Sequence, residues 1–525
     1  MKILPLIPLS LVFMISCSAP EEEENPQPNI IYVLADDLGY GDLSCYNEQG
    51  EIPTPYLDQL TQNGVRFTDA HSSSAVCTPT RYSTLTGRYN WRTRLKSGVL
   101  TGKSKALIPN DRTTVASLLK QHGYRTGFVG KWHLGWDWGL TTDTLGGTGW
   151  QAVDFDNMDF SKPIKNNPND LGFDYAYGHS GSLDMAPYVY VENGKVTAIP
   201  DTVTVDTGKY TWWRKGPTAP DFVHEQVTPH FFEKAIEFIE NEKDSSFFLY
   251  LALPSPHTPI LPTEEWLGKS ELNPYADFVM MIDDYMGKLK ATLVEQGIDQ
   301  NTIIVFTSDN GCSPQADFEI LGEKGHDPSY VFRGHKADIY EGGHRVPYIV
   351  HWPAQIKGNR TSDQFVCSTD LMATCAAIVG ASLQDNEGED SYSFLPILQG
   401  TDGQTEREDI IHHSINGSFA IRKGDYKLIM SAGSAGWSYP TPKQVQAQDS
   451  LPPIQLYNLQ DDPAETQNLQ ATESAQVEAL KALLSSYITQ GRSTPGTPQK
   501  NDPIDGEWKQ IGFVEQSIVG EQHQQ

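Results

Sequence analysis

Two pairs of oxygen-bearing side chains stand where chemistry could take place. Asp36 and Asp37 follow directly on the apolar run Asn29 to Ala35, and Asp309 and Asn310 come just after the run Asn301 to Thr307. Adjacent carboxylates repel each other unless a cation holds them. A hard divalent ion with oxygen ligands is the economical partner. Asp36, Asp37, Asp309 and Asn310 offer four oxygens and neither sulfur nor imidazole, which suits Ca2+ or Mg2+ and not zinc. For Asp36 and Asp37 taken alone, a solvated turn is the competing reading. A thiol, Cys77, opens a further segment of interest, Cys77 to Arg88. By itself it reads as an incidental cysteine in a loop that leads into a helix. Arg81, four positions on, lies one turn from it if a helix begins there.

These residues need a frame that brings them together. Asn29 to Ala35, Arg125 to Val129, Phe247 to Leu253, Asn301 to Thr307 and Pro347 to His351 are short, apolar, β-branched runs that suit strands buried on both faces. Helical patterns fall between them, at Thr113 to His122, Pro229 to Glu242 and Tyr275 to Gln296. Strands alternating with helices predict an α/β sandwich with a mostly parallel central sheet. In such sheets chemistry sits outside the carboxyl ends of the strands, where the candidate residues fall. Trp136 to Asp170 and Pro200 to Asp221 read as loops around a pocket. The pattern changes near Thr401. Ser418 to Met430 reads as two strands around a Lys-Gly-Asp turn, Ile454 to Leu459 as a further strand and Ser474 to Tyr487 as a helix. This predicts a smaller C-terminal α+β domain with an antiparallel sheet. The tail from Ser493 is rich in Pro, Gly and Gln and reads as mobile or draped over the surface.

The chain has 525 residues, enough for one large domain and a smaller one. Its formal net charge of −28 repels polyanions at long range and argues against a nucleic-acid partner. An anionic substrate would then need cations focused in one pocket. Lys2 followed by the apolar run Ile3 to Ile15 reads as an export signal, too short to span a bilayer. Ser16-Cys17, then Glu21 to Glu24, resembles a lipoprotein signal in which Cys17 is acylated after cleavage, although Met14 fits that pattern loosely and ordinary signal cleavage stays open. The expected divisions are a signal peptide over 1–16, an acidic linker over 17–28, a catalytic domain over 29–400, a C-terminal subdomain over 401–490 and a tail over 491–525. The expected location is the periplasm or outer membrane, with the acyl chains of Cys17 as the membrane anchor, and the acidic run Glu21 to Glu24 resembles the surface-export signals of some lipoproteins, which leaves a surface-exposed position open. Six cysteines make no disulfide framework for a chain this size, and whether Cys367 and Cys375 pair stays open.

A resemblance sharpens the reading. Cys77-Thr78-Pro79-Thr80-Arg81 with Leu85-Thr86-Gly87-Arg88 matches the signature C-x-P-x-R-x-x-x-L-T-G-R. Gly130 to Gly135 (GKWHLG), Ser255 to Pro259 (SPHTP), Arg333 to Lys336 (RGHK) and Tyr340 to Pro347 (YEGGHRVP) follow in order, and Leu456 to Glu465 closes the series. From about Pro28 to Gln490 the chain resembles the type I, formylglycine-dependent sulfatases. Thr80 departs mildly, standing where serine is common.

The resemblance implies an alkaline-phosphatase-like α/β sandwich, and a maturation enzyme that oxidises Cys77 to formylglycine. The hydrated aldehyde would be nucleophile and metal ligand together, one hydroxyl attacking sulfur and the other later expelling sulfate. Asp36, Asp37, Asp309 and Asn310 would hold Ca2+, with Mg2+ possible. Asp309 would also be placed to take the nucleophile's proton. Arg81 would stabilise the hydrate, and Lys131, His133 and Lys336 would bind sulfate oxygens. His133 would act as base in the elimination, and His257, with Lys336, would protonate the leaving oxygen. The expected substrate is a sulfated glycan, with galactose or N-acetylgalactosamine favoured if His179, in the segment Gly172 to Asp184, hydrogen-bonds an axial hydroxyl. A structural loop histidine is the plain alternative at that position. The competing functions are a sulfatase of another sugar or of aryl esters, a phosphoesterase of the same superfamily, or a glycan-binding lipoprotein with a degenerate site.

Overall fold

The computed structural model of the chain describes residues 27–142, 155–400, 404–448, 450–504 and 506–514. The expected signal peptide and Cys17 lie outside them.

The frame of the molecule is a ten-stranded sheet. Its middle strand, Asn29–Asp36, is buried at every residue, as the unbroken apolar run Ile30 to Ala35 within it demands. It runs parallel to Phe247–Pro256 on one side and to Thr302–Ser308 on the other, with Ile31 paired to both Leu249 and Ile304. Arg125–Lys131 continues the sheet parallel to Phe247–Pro256, and Tyr175–His179 runs parallel beyond it. On the far side Tyr348–His351 is antiparallel to Thr302–Ser308. The five parallel strands therefore finish along one edge, at Asp36, Lys131, His179, Pro256 and Ser308. The helices Val227–Glu242 and Pro274–Glu295 pack on each other and on the Phe247–Pro256 strand, and Cys77–Thr86 packs with Leu371–Ile378. The α/β sandwich expected from the alternation is the observed architecture.

Residues 200–221 depart from the expected loop. Thr202–Asp206 and Trp213–Thr218 pair as an antiparallel hairpin, and the ring of Trp213 stacks on His224 at 4.0 Å. The alternation Thr-Val-Thr-Val at 202–205 is a strand signal that the polar surroundings obscure.

The C-terminal part carries a four-stranded antiparallel sheet built from Asp409–His413, Phe419–Lys423, Tyr426–Ile429 and Gln455–Asn458. Its two faces bury different residues, because strand side chains alternate. Ile411, Ile421, Leu428 and Leu456 share a cluster with Val477, Leu480, Leu484 and Ile488 of the helix Ser474–Gln490, whose spacing makes one apolar stripe. Ala420, Ile429 and Tyr457 face the other way, onto Ile339 and Tyr340. The described part of the tail is draped and pinned, with Ser493 bonded to Asp390 and Asn501 to Arg92. Cys367 and Cys375 are separate buried thiols.

Candidate active site

The helix Cys77–Thr86 delivers Cys77 to the carboxyl edge of the sheet. All ten of its residues are buried, and it stops at Gly87, which is left-handed with φ +62°. A Cβ there would meet Met372 at 2.7 Å and Gly388 at 2.9 Å, so glycine is required on both counts. Cys77 occupies the N-terminal end, where the helix dipole favours negative charge. One turn on, Arg81 ties this helix to the strand ends. Its Nε donates to Asp309 Oδ2 at 2.9 Å, its Nη1 to the Lys131 carbonyl at 2.9 Å and its Nη2 to the Leu253 carbonyl at 3.2 Å.

Around Cys77 the carboxylates and cations interleave. Lys131 Nζ donates to Asp36 Oδ2 at 2.5 Å and to Ser182 Oγ at 2.6 Å. Lys336 Nζ reaches both oxygens of Asp37, at 2.7 and 2.8 Å. Asn310 Nδ2 donates to Asp37 Oδ1 at 2.7 Å, and His257 Nε2 lies 3.7 Å from Asp37 Oδ2. Burial opposes ionisation of Asp36, yet Lys131, His257, Arg81 and Lys336 together hold its carboxyl far below the usual range. Asp309 goes the other way, pushed up to about 7 by burial and by the charge of Asp36. The two strand ends are cross-tied, with Leu38 N donating to Ser308 Oγ at 3.0 Å and Asp309 N to the Ala35 carbonyl at 3.0 Å. Asp37 and His133 both take positive φ, +66° and +54°, an unusual backbone for non-glycine residues that clusters at functional sites.

Two buried acceptors, Asp36 Oδ1 and Asn310 Oδ1, have no hydrogen-bond partner. Such atoms are costly to bury unless something binds them. The ligand atoms of Asp36, Cys77 and Asp309 lie within 4.8 Å of one another, and so do those of Asp36, Asp37 and His257. Orphaned oxygens amid clustered carboxylates fit a hard divalent cation.

The histidines are differently set. His133 Nε2 donates to the Leu100 carbonyl at 2.8 Å, while Nδ1 is buried without a partner. Burial, then Lys131, holds its pKa well below that of free imidazole. It is therefore a neutral ring with an unshared Nδ1 lone pair. His257 is the more open of the two, and burial and Lys336 lower its pKa as well. The Cys77 thiol is pushed up to about 11, first by burial, so as a thiol it is a poor nucleophile near neutrality.

His179 is placed otherwise than a sugar-reading role requires. It ends its strand fully buried, with Nε2 3.1 Å from the Ser182 carbonyl and Nδ1 3.4 Å from the Val189 carbonyl. Burial lowers its pKa to about 4. With both nitrogens facing carbonyls, the ring offers nothing to a sugar; it holds the turn that carries Ser182.

Ser182, Ser308 and Tyr275 are contributors that sequence reasoning passed over. Tyr275 Oη donates to Asp42 Oδ2 at 2.5 Å and lies 3.2 Å from the Asp37 carbonyl, and His326 Nε2 lies 2.9 Å from Asp42 Oδ1. Ser182 lies within the segment Gly172 to Asp184 and Ser308 next to Asp309, but hydroxyls carry no spacing signal of their own.

A second buried group, His71, Glu341, His344 and His412, brings its ligand atoms within 4.8 Å of one another. It is not arranged for a metal. His344 and His412 stack at 3.6 Å with 10° between their planes, so lone pairs that lie in the ring planes cannot converge on one ion. The ammonium of Lys427 sits among them, 3.0 Å from Glu341 Oε1 and from His344 Nε2. This group fastens the Ala70–His71 strand and the Glu341–His344 turn to the C-terminal sheet, which carries His412 and Lys427.

The family model described as Sulfatase matches residues 28–381. The chain belongs to the sulfatase family. The model for the C-terminal part of N-sulphoglucosamine sulphohydrolase matches residues 334–493 of this sulfatase. It is 35% identical over 533 residues to an N-acetylgalactosamine-6-O-sulfatase of Bacteroides thetaiotaomicron, covering 93% of this chain and 99% of that one. It is 31% identical over 494 residues to human arylsulfatase A, with 89% and 90% covered. A solved structure from work on the metabolism of multiple glycosaminoglycans by Bacteroides thetaiotaomicron superposes with a TM-score of 0.76 at 34% identity, over 88% of this chain and 99% of that one. The sulfatase is thus a sulfuric ester hydrolase.

Proposed function

We propose that this sulfatase removes O-sulfate from galactose or N-acetylgalactosamine residues of sulfated glycans, using formylglycine formed at Cys77 and a bound divalent metal. The observation that carries the reading is the position of Cys77. It stands at the head of a buried helix, with its sulfur among the oxygens of Asp36 and Asp309 and with Arg81 fixed behind it. A hydrated aldehyde there supplies two hydroxyls, one to attack sulfur and one to expel sulfate. Asp36, Asp37, Asp309 and Asn310 would hold Ca2+ or Mg2+, which supplies Lewis acidity toward the sulfate oxygens.

The other steps fall to this chain's side chains. Lys131 and Lys336 stand on the carboxylates of Asp36 and Asp37 and offer their remaining donors to the sulfate as its charge grows. His133 takes a proton at Nδ1 from the second hydroxyl, because its Nε2 proton is committed to Leu100. His257, the most solvent-facing of these groups, gives a proton to the departing sugar oxygen.

Preference for galacto sugars is supported by the activity for which the N-acetylgalactosamine-6-O-sulfatase relative is named and not by His179. The Ser16-Cys17 junction and the acidic run behind it support export and acylation at Cys17, with a formylglycine-generating enzyme acting before folding buries Cys77. The test is sulfate release from singly sulfated galactose, N-acetylgalactosamine and N-acetylglucosamine by protein coexpressed with the maturation enzyme, alongside the matching phosphate esters. Release from the galacto sugars alone is expected. Activity on phosphate esters and none on sulfates would overturn the reading. Labelling with a fatty acid, lost in Cys17→Ala, tests the anchor.

A further inference from the structure

Trp437 projects from the C-terminal loop 431–440 with 43% of its surface exposed, and Tyr439 beside it with 64%. Scattered exposed apolar side chains are ordinary; what surrounds this one is not. Its loop is almost wholly serine, glycine and alanine before the tryptophan, a composition that would wander if left alone. Instead its own polar groups fix it. Ser434 Oγ donates to the Ser438 carbonyl at 2.7 Å and accepts from Gly436 N at 3.1 Å, and Ser434 N donates to the Pro440 carbonyl at 3.0 Å. Gly436 lies flush against the catalytic domain, where an added Cβ would fall 2.4 Å from Asp338 Oδ1 and 2.5 Å from the Ala337 carbonyl.

The fixing point is a carboxylate shared with the catalytic loop. Asp338 is fully buried. Its Oδ1 accepts from Trp437 N at 2.7 Å and Ser438 N at 3.0 Å, and its Oδ2 accepts from His335 N at 3.0 Å. Between His335 and Asp338 lies Lys336, whose ammonium rests on Asp37. One side chain thus sets both the lysine of the reaction centre and an exposed tryptophan. From His335 the rim continues through Phe318, edge-on at 5.6 Å, to Asp317, which accepts from Tyr210 at 2.8 Å.

A rigid loop that spends its hydrogen bonds to hold an exposed aromatic on the carboxylate that also fixes the turn of Lys336 is prepared to bind, since little ordering remains to be done on association. A pyranose presents C–H groups on one face and hydroxyls at its edge, which suits an indole with a polar surround. We propose that Trp437 is a stacking platform for a sugar of the substrate on the Lys336 side of the centre, and that the C-terminal loop is thereby part of the specificity site. Asp338 is a positioning residue for both halves. The inference rests on the glycan reading above.

The experiment compares wild type, Trp437→Ala and Trp437→Phe on a 6-sulfated N-acetylgalactosamine-containing oligosaccharide and on a synthetic aryl sulfate. For Trp437→Ala we expect KM on the oligosaccharide to rise about tenfold, the weight of one aromatic contact, with kcat nearly unchanged. Phe is expected to restore most of the loss, and turnover of the aryl sulfate to stay as in wild type. Equal losses on both substrates, or no change on the oligosaccharide, would overturn the role of Trp437 and leave the glycan reading standing. A wild type that cleaves the aryl sulfate and no sulfated sugar would overturn both.

Discussion

The ammonium of Lys131 lies 2.5 Å from Asp36 Oδ2, and both side chains are closed to solvent. A pair like this is held by its neighbours, because each charge has been stripped of water. Lys131 ends one strand and Asp36 another, with the Phe247–Pro256 strand between them. Their contact is a direct product of the parallel register. Lys131→Ala should lower kcat by about two to three orders of magnitude, the cost of one preorganised donor. It should also destabilise the fold by about 3–5 kcal/mol by stranding Asp36. Steady-state kinetics and denaturant unfolding check the two effects separately. Ser182→Ala, which leaves the ion pair in place, should cost far less in stability than in rate.

Chelation should lower both activity and thermal stability. Asp36 Oδ1 and Asn310 Oδ1 lack partners, and Asp309 is pushed up to about 7 by burial and Asp36. A bound divalent cation answers all three. Ca2+ at a hundred times its Kd should raise stability by about 2.7 kcal/mol over chelated protein, read as a shift in Tm. The shift should vanish in Asp309→Ala.

Expression without a maturation enzyme should give inactive protein of unchanged fold. The unmodified thiol is pushed up to about 11 by burial and carries almost no thiolate at pH 7. Peptide mass spectrometry of the 77-containing fragment, set against activity, should show turnover rising in proportion to conversion. Cys77→Ala should be inactive under every condition.

Acid should loosen the seam where the Ala70–His71 strand and the Glu341–His344 turn meet the C-terminal sheet. His71, His344 and His412 are all held below the ordinary histidine pKa, first by burial. The unfolded chain then binds more protons than the folded one as pH falls below about 6.5, so stability drops toward acid. Glu465 and Asp283, raised to about 7 by burial, work in the opposite sense. The comparison that isolates the histidines is wild type against His412→Phe. His412 has no hydrogen-bond partner at either nitrogen and stacks on His344, so phenylalanine keeps the packing and removes the titration. The fall in Tm between pH 7.5 and pH 5 should be smaller in the variant.

His179→Ala should depress all substrates alike. Its ring supports the Ser182 carbonyl from a fully buried position, so sugar and aryl sulfate turnover should fall together, with a loss of Tm. A selective loss on sugars would return His179 to a recognition role.

The sequence by itself determined the frame and which residues gather at its carboxyl edge. Ile30 to Ala35 and Ile303 to Phe306 are apolar throughout, so each must be buried on both faces, and the polar residues that follow must emerge at a sheet edge. The motif from Cys77 to Arg88 placed Arg81 one helical turn from the thiol because that relation depends only on local backbone. Tertiary structure decided everything that rests on partners distant in the chain. The segment carrying His179 could be singled out, but the two carbonyls its ring faces, at Ser182 and Val189, follow from how the sheet edge folds back. Ser182 beneath Lys131, Tyr275 against Asp37, and the stacked rings of His344 and His412 join residues 51, 238 and 68 positions apart or more in sequence. No local period encodes such contacts. Trp437 reads in sequence as one aromatic in a serine-glycine loop; only Asp338, reaching it from ninety-nine residues away, ties that loop to the turn that carries Lys336.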